Sequence, residues 1–448
     1  MISNLVIQKF GGTSLANIER IQAVANLIEQ SVKDGKEVVA VVSAMAGETQ
    51  RLIDLAKEVQ SEPDPREYDA LISSGEQVSV ALLAMALKEK NFLSKSYTAF
   101  QLGLKTDQIH GKARISSIDT SVLHEDLKKG IVPVITGFQG INESGDITTL
   151  GRGGSDTSAV ALAVALEADE CQIFTDVDGV YTTDPRVYDK AKKIDKLSFE
   201  EMLELSSLGA KVLQIRSVEF ASKFNMPIRV LSSFNKGDGT LIDKEDENLE
   251  DALISGVTYT KNDSKLIIRQ VPDVPGIAAK ILSPISNEGI EVDVIVQNVA
   301  EDKTTDFTFT VKDEDADKAA KILNDLSDEL GGGSVELAKE ISKVSVVGVG
   351  MKSHAGVATK MFSALADKNI NIDMISTSEI KISVVVSRES AEDAVKALHD
   401  VFELSWHEYY RCITNSKFCA KTYDSNSNGG STWDCIQMRF KSAGSRLD

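Results

Sequence analysis

The segment Thr148-Thr149-Leu150-Gly151-Arg152-Gly153-Gly154-Ser155-Asp156-Thr157 decides how this chain of 448 residues folds. It stands between an apolar strand pattern at 132–135 and a helix of small residues that the sequence predicts over 158–166. Its glycines let the backbone approach a ligand closely, and its arginine can bind a carboxylate with two parallel hydrogen bonds. A surface loop with a solvated arginine is the alternative. We predict an anion-binding turn at the end of a strand.

Two further glycine-rich segments follow predicted strands. Lys9-Phe10-Gly11-Gly12-Thr13-Ser14 comes after an apolar strand at 5–7, and we expect Ser14 to cap the next helix. Thr175-Asp176-Val177-Asp178-Gly179-Val180-Tyr181-Thr182-Thr183-Asp184-Pro185-Arg186 comes after a strand at 172–174, although an ordinary Asp-Gly hairpin would also explain it. Neither segment is a P-loop, because no Gly-x-x-x-x-Gly-Lys-Ser/Thr sequence occurs.

Together the three segments bring charged side chains to the ends of predicted strands, where open α/β sheets bind ligands. The cations there are Lys9, Arg152 and Arg186. The carboxylates there are Asp156, Asp176 and Asp178. Such carboxylates suit an amino group or a magnesium ion. The set therefore predicts a site for nucleotide phosphates and a small zwitterion.

The chain divides into an α/β part and a repeated part. Strand-like and helix-like segments alternate over 1–243, which is typical of an αβα sandwich with a largely parallel sheet. After an acidic linker, the region 251–404 contains two βαββα units, at about 262–335 and 341–404. Two such units indicate a duplication of a small α+β module.

The stretch 405–448 fits neither part. It contains both tryptophans and three of the four cysteines, and it has six basic against four acidic residues in an acidic chain. It has no apolar periodicity. We expect this tail to be disordered or foreign to the fold.

Composition narrows the class of protein. Hydrophobic residues make up 42% and charged residues 26% of the chain, as in soluble globular proteins. No apolar run approaches the roughly 20 residues of a spanning helix, and no signal-peptide pattern opens the chain. The net charge of -19 argues against nucleic acid or an anionic membrane as a partner. We therefore expect a cytoplasmic protein.

Cysteine and histidine patterns predict neither a protein metal site nor a nucleophile–base pair. The four cysteines and five histidines have no zinc-ligand spacing. The missing base fits a reaction in which a substrate carboxylate accepts a phosphoryl group. Such a carboxylate, with a pKa of about 3.9, is already ionised at neutral pH and needs no general base. It needs only positioning and charge neutralisation.

With these motifs, the chain resembles the aspartate kinases of the amino-acid-kinase superfamily. The three segments quoted above match their signature motifs, and the repeated module resembles tandem ACT domains. The resemblance covers about residues 3–404. Supporting matches are Ser43-Ala44-Met45, Ser73-Ser74-Gly75-Glu76, Gly137-Phe138-Gln139-Gly140 and Leu208-Gly209-Ala210-Lys211.

The resemblance implies phosphoryl transfer from ATP, with Mg2+, to the side chain of L-aspartate, giving 4-phospho-L-aspartate and ADP in the first step of lysine, threonine and methionine synthesis. The implied catalytic residues are Lys9, Arg152 and Asp156. The implied substrate-binding residues are Thr49, Glu76, Arg152, Gly153, Gly154 and Ser155. The implied ATP-binding residues are Lys9, Phe10, Gly11, Gly12, Ser43, Thr175, Asp176, Tyr181, Arg186 and Lys211.

The resemblance further implies feedback inhibition by lysine, threonine or both, and a homo-oligomer that pairs through its ACT domains. A strand at 253–260 would complete the second unit, so that each has the order βαββαβ. The implied effector-binding residues are Asp273, Gln297, Asn298, Met351, Ser376 and Glu379. For Gln297 and Asn298, turn chemistry at a strand end is the alternative.

Two other functions stay open from the sequence. One is another small-molecule kinase of the same fold, acting on glutamate, acetylglutamate or UMP. The other is an amino-acid-sensing regulatory protein with an inactive kinase domain. Loss of Lys9, Arg152 or Asp156 would favour the second, and all three are present.

Overall fold

The computed structural model describes residues 4–208, 212–245, 253–299, 303–326, 329, 333–349, 351 and 356–405. In the N-terminal domain, strands and helices alternate. Its strands are β1 Leu5–Phe10, β2 Glu37–Val42, β3 Ser94–Tyr97, β4 Lys105–Thr106, β5 Ile115–Ser117, β6 Val132–Thr136, β7 Gln139–Ile141, β8 Ile147–Thr149, β9 Glu170–Thr175, β10 Lys196–Ser198, β11 Ile228–Ser232 and β12 Thr240–Asp243. Its helices are α1 Ile18–Lys33, α2 Glu48–Val59, α3 Pro65–Ile72, α4 Ser74–Glu89, α5 Ser121–Lys128, α6 Gly154–Ala165, α7 Phe199–Ser207 and α8 Ile215–Phe224.

An eight-stranded sheet lies at the centre of this domain, in the order β10-β12-β11-β9-β1-β2-β6-β3. The strands from β11 to β3 run parallel, whereas β12 runs antiparallel to β11. Successive side chains of β1 enter separate apolar cores, Ile7 on one face and Val6 on the other. Helices therefore cover both faces, and the carboxyl ends of β1, β2, β6 and β9 meet at one edge.

Two helix starts differ from the sequence prediction. Ser14 does not cap α1, because a 3-10 turn at Gly12–Leu15 intervenes and Asn17 accepts the Arg20 N–H instead. The Ser14 hydroxyl shares a 2.8 Å hydrogen bond with that of Ser233, after β11. The helix predicted at 158–166 begins at Gly154, so the glycine-arginine segment itself forms the start of α6.

Among the residues that the structure describes, one helical stretch of 25 residues, Pro65–Glu89, could cross a membrane by length and composition alone, since an 18-residue window in it has a mean hydropathy of 1.5. Half of that window is buried inside the protein. The stretch comprises α3 and α4, and it carries the buried carboxyl groups of Asp69 and Glu76, which bond to neighbouring loops. We therefore interpret it as a pair of core helices.

The C-terminal module contains one six-stranded antiparallel sheet with helices packed against it. Its strands are β13 Leu253–Pro272, β14 Val292–Val299, β15 Thr304–Lys312, β16 Val335–Val349, β17 Met374–Thr377 and β18 Lys381–Ser387. Its helices are α9 Ile277–Asn287, α10 Asp313–Leu326, α11 Val357–Asp367 and α12 Ala391–Val401. The predicted fold class, an αβα sandwich followed by two α+β units, is confirmed.

Two long strands, β13 and β16, each extend from one unit into the other. The resemblance implies a strand at 253–260 that is separate from the first unit at about 262–335, whereas the structure has the single strand β13 of 20 residues. The start of β13 pairs with 343–349 of β16 in the second unit, and its later part pairs with 335–338 next to the first unit. Val257 thus enters the core of the second unit, and Leu266 enters that of the first.

The module contacts the N-terminal domain at the segment that follows β9. The Val257 N–H donates to the Thr182 carbonyl over 2.7 Å, and the Thr182 hydroxyl lies 2.8 Å from Nε2 of His399 in α12. Lys381 of β18 forms an ion pair of 2.7 Å with Glu204 of α7. Apart from Ser405, the predicted tail at 405–448 lies outside the described residues.

Candidate active site

Lys9 and Asp156 form the charged centre of the edge where the strands end. Lys9 extends from β1, and its Nζ lies 2.5 Å from Oδ1 of Asp156, in the first turn of α6. Both side chains are only about one-tenth exposed, at 11% and 10%. A buried pair of this kind holds the ammonium group in one place, because leaving either charge alone would be costly.

Glycine is required where the arginine loop turns into α6. Gly153 is the N-cap residue with a φ of 72°, in the left-handed region. A Cβ built there would lie 2.0 Å from Cγ of Gln214, so space as well as conformation excludes a side chain. A Cβ on Gly137, after β6, would meet the Ser155 hydroxyl at 2.7 Å. The start of α6 is therefore packed tightly against its neighbours, with its dipole directed at the strand ends.

Glu76 has an unusual environment in the first turn of α4. Its side chain is buried, and burial raises its pKa from 4.5 to about 7. The Ala44 N–H donates to Oε1 over 3.1 Å, whereas Oε2 is buried without a hydrogen-bond partner among the described residues. A buried acceptor of this kind suits a ligand that supplies a donor.

These groups surround one cavity of about 260 Å³. It is lined by Lys9, Ser43, Thr49, Glu76, Phe138, Gly151, Arg152, Gly153, Gly154, Ser155 and Asp156. All the predicted substrate-binding residues are among them, as are the predicted catalytic residues. Arg152 is exposed at the cavity wall, so its guanidinium is accessible to a ligand. The arrangement can bind an anion and an ammonium group side by side.

Phe138 and Gly151 also line the cavity, although neither is among the site residues that the resemblance implies. Phe138 has a φ of 69°, a conformation that is uncommon for a bulky residue and is concentrated at functional sites. Its N–H donates a hydrogen bond of 3.2 Å to the Ser158 hydroxyl, which helps to hold this conformation. The only sequence signal was its place in the supporting match Gly137-Phe138-Gln139-Gly140.

Of the predicted ATP-binding residues, Lys9 and Ser43 line the cavity, and the other described ones do not. Phe10, Gly11 and Gly12 end β1, where the Gly11 N–H donates to the Phe174 carbonyl of β9. The segment after β9 is engaged locally: Tyr181 donates to Asp178 over 2.8 Å, and Arg186 forms an ion pair of 2.7 Å with Asp184. Thr175 donates to Asp176 over 3.0 Å. Their role with ATP stays a prediction, and Lys211 lies outside the described residues.

The predicted effector residues fall into two groups, one in each unit of the module. In the first unit, Gln297 of β14 approaches Asp273 at 3.4 Å, and Asn298 is its neighbour. In the second, Ser376 lies on β17 with Glu379 in the turn that follows. The Met351 side chain is 4% exposed in the core of its unit, so its main chain is the part that an effector can contact.

Comparison with known proteins agrees with this architecture. Residues 4–232 match the model of the amino acid kinase family, and residues 266–331 and 344–402 each match an ACT domain. An aspartate kinase of Stutzerimonas stutzeri (strain A1501) is 58% identical over 401 residues, which cover 89% of this chain and 97% of that protein.

Two solved structures share the whole described architecture. The crystal structure of E. coli aspartokinase III in complex with aspartate and ADP has a TM-score of 0.73 and 26% identity, over 89% of this chain and 99% of that one. The structure of that enzyme with lysine and aspartate has a TM-score of 0.72 and 27% identity, with the same coverage. The chain therefore belongs to the aspartate kinases, members of the amino acid kinase family that carry two ACT domains.

Proposed function

We propose that the cavity binds L-aspartate beside the γ-phosphate of ATP, with Lys9, Arg152 and Glu76 as the decisive side chains. One observation carries the proposal: a single small cavity gathers two cations and a buried carboxyl group of raised pKa at a helix N-terminus. Aspartate has two carboxylates and an ammonium group, so each of its charges meets an opposite charge there.

Each group has a separate task in binding. Arg152 holds the α-carboxylate of aspartate with two parallel hydrogen bonds. The ammonium group donates to Glu76, whose Oε2 is buried without a partner among the described residues. The backbone and small side chains of Thr49, Gly153, Gly154 and Ser155 complete the wall. The side-chain carboxylate of the substrate then points towards Lys9.

Transfer proceeds without a general base. An oxygen of the aspartate side chain attacks the γ-phosphorus, the new O–P bond forms, and the bond to the bridging oxygen breaks so that ADP leaves with that oxygen. Lys9 stabilises the negative charge that spreads over the transferring group. Asp156 is a positioning residue that keeps the Lys9 ammonium at this point, since their side chains are in contact.

The predicted ATP-binding residues would hold the phosphates of ATP at the edge where the strands end. The glycine turn after β1, Ser43 and the segment that follows the neighbouring strand β9, from Thr175 to Arg186, would bind ATP, with Lys211 as a further predicted contact. Magnesium would enter with ATP, bound to the nucleotide, and would supply charge neutralisation for the phosphates.

The ACT module makes this chain an enzyme that lysine, threonine or both inhibit. The related E. coli enzyme has been solved with lysine, and the two groups of effector residues occupy corresponding places in the two units of this chain. The module also contacts Thr182, inside the predicted ATP-binding segment. An effector that shifts the module would therefore reach the nucleotide site through a direct contact, with a coupling of roughly 1–3 kcal/mol.

Edge strands of the module favour a homo-oligomer. β14 and β17 lie at the two ends of the six-stranded sheet, so each has unpaired backbone groups along one side. Each also exposes a large apolar side chain: Ile295 is 48% exposed and Ile375 is 46% exposed. Pairing with a second copy would cover both features.

ADP release by the purified protein tests these assignments. We expect turnover with aspartate, much slower turnover with glutamate or UMP, and a lower rate when lysine and threonine are added. Glutamate shares the α-carboxylate and the ammonium group, so equal rates with glutamate would overturn the claim that the cavity holds the shorter aspartate side chain in line with Lys9. An unchanged rate in saturating lysine plus threonine would overturn the regulatory assignment.

A further inference from the structure

A buried carboxyl group behind the cavity has no role in the proposed chemistry. Asp69 in α3 is fully buried at 0% exposure and does not line the cavity. Its two oxygens bond to two segments that are distant in sequence, at 110–111 and at Thr149. The Thr149 hydroxyl donates over 2.6 Å, the Thr149 and Gly111 N–H groups donate over 2.9 Å, and Nδ1 of His110 lies at 2.9 Å.

The significance of these bonds lies in where Thr149 stands. It ends β8, three residues before Arg152, and the intervening Gly151 has a φ of 78°. A Cβ on Gly151 would lie 2.8 Å from the Gly111 carbonyl, so the arginine loop is packed directly on the loop that Asp69 also binds. Asp69 thus holds both Thr149, which leads into the arginine loop, and Gly111, on which that loop packs.

A cation holds the same loop from the opposite side. Arg216 of α8 donates from Nη1 to the Leu150 carbonyl over 2.7 Å and from Nη2 to the Ala113 carbonyl over 2.6 Å. The Leu150 N–H in turn donates to the Phe138 carbonyl over 2.8 Å. Thr149 and Leu150 are therefore held by a carboxylate and a guanidinium, and charged partners make the stronger class of hydrogen bond.

We propose that Asp69 is a positioning residue for aspartate binding, which acts by holding Thr149 so that the Arg152 loop is preorganised for the α-carboxylate. The inference rests on the proposed role of Arg152. An arginine clamp needs fixed geometry because a loose loop must be ordered when the ligand binds, which weakens affinity. Loss of the anchor should therefore affect the KM for aspartate more than kcat.

Steady-state kinetics of Asp69→Asn and Thr149→Val provide the test. Each substitution removes at least one hydrogen bond of the buried Asp69 carboxylate, so the Arg152 loop must be ordered when the ligand binds. We expect the KM for aspartate to rise by about tenfold, with kcat and the KM for ATP within about threefold. Thr149→Ser keeps the hydroxyl and should behave like the wild type. Asp146→Asn is the matched control, because Asp146 bonds the same helix only through Arg66.

Arg152→Ala and the double variant Arg152→Ala/Asp69→Asn separate the possible results. If Asp69 acts through Arg152, the double variant should have the KM of Arg152→Ala alone. A raised KM in Arg152→Ala, with an unchanged KM in Asp69→Asn and Thr149→Val, overturns the anchor while the substrate role of Arg152 stands. An unchanged KM in Arg152→Ala refutes that substrate role, and the anchor falls with it. If Asp69→Asn does not fold, Thr149→Val against Thr149→Ser still decides.

Discussion

The Glu76 carboxyl group predicts a pH dependence of aspartate binding at the proposed site. Burial raises its pKa to about 7, so the group loses its charge as the pH falls through that value. The aspartate ammonium favours the ionised form. We therefore expect the KM for aspartate to rise as the pH is lowered from 8 to 6, and steady-state kinetics at fixed ATP measure it. Glu76→Gln should raise the KM at pH 8 and abolish this dependence, whereas a dependence that persists in the variant would contradict the assignment.

The same pKa predicts a cost to stability. A folded-state pKa above the unfolded value of 4.5 means that the folded protein binds more protons between pH 4.5 and 7, so stability falls as the pH rises through this range. A shift of this size corresponds to a few kcal/mol, at roughly 1.4 kcal/mol per pKa unit. Glu76→Gln should therefore raise the melting temperature at pH 8 and leave it nearly unchanged at pH 4.5. An equal effect at both pH values would contradict burial as the cause.

Among the elements, the start of α6 depends on Gly153. A side chain there would meet both a φ of 72° and the Gln214 side chain. Gly145 is a matched control, since its φ is 83° and nothing lies within 4 Å of a Cβ built there. We expect Gly153→Ala to cost about 1–3 kcal/mol more than Gly145→Ala and to raise the KM for aspartate. Denaturant unfolding and kinetics measure this, and equal costs at the two sites would contradict the packing argument.

Local patterns predicted most elements, and long-range contacts account for the differences. Apolar runs predicted the strands of the N-terminal domain because parallel sheets are apolar throughout, and the glycine-arginine segment that they flank does line the cavity. Ser14 looked like a cap, but its hydroxyl bonds to Ser233, which is distant in sequence. The continuity of β13 depends on its pairing with β16 along both units. Asp69 has no local signature at all, since its partners lie far along the chain.

At the scale of the whole molecule, edge pairing predicts how copies associate. Ile295 and Ile375 are exposed on the edge strands, and a charge at either place would oppose burial against another copy. We expect Ile295→Glu or Ile375→Glu to reduce the molar mass measured by light scattering. Val59→Glu is the control, because Val59 is 90% exposed on α2, away from the edges. An unchanged mass in both edge variants would exclude association through β14 and β17.

Regulation is also a property of the whole molecule. Asn298 and Glu379 lie in corresponding places of the two ACT units, far along the chain from the cavity residues. Asn298→Ala or Glu379→Ala should relieve inhibition by lysine and threonine while leaving the uninhibited rate unchanged. Effector titrations at fixed aspartate and ATP measure this. Full inhibition in both variants would place the effector site elsewhere.

The central claim is that the cavity around Lys9 is where the phosphoryl group is transferred. The most direct measurement is kcat for Lys9→Met, from ADP release at saturating aspartate and ATP, with Lys33→Met as the control because Lys33 is exposed at the end of α1. Loss of one contact to the charge of the transition state predicts a fall of roughly 100-fold or more in Lys9→Met, with no change in Lys33→Met. A folded Lys9→Met protein with a kcat within about threefold of the wild type would contradict the account.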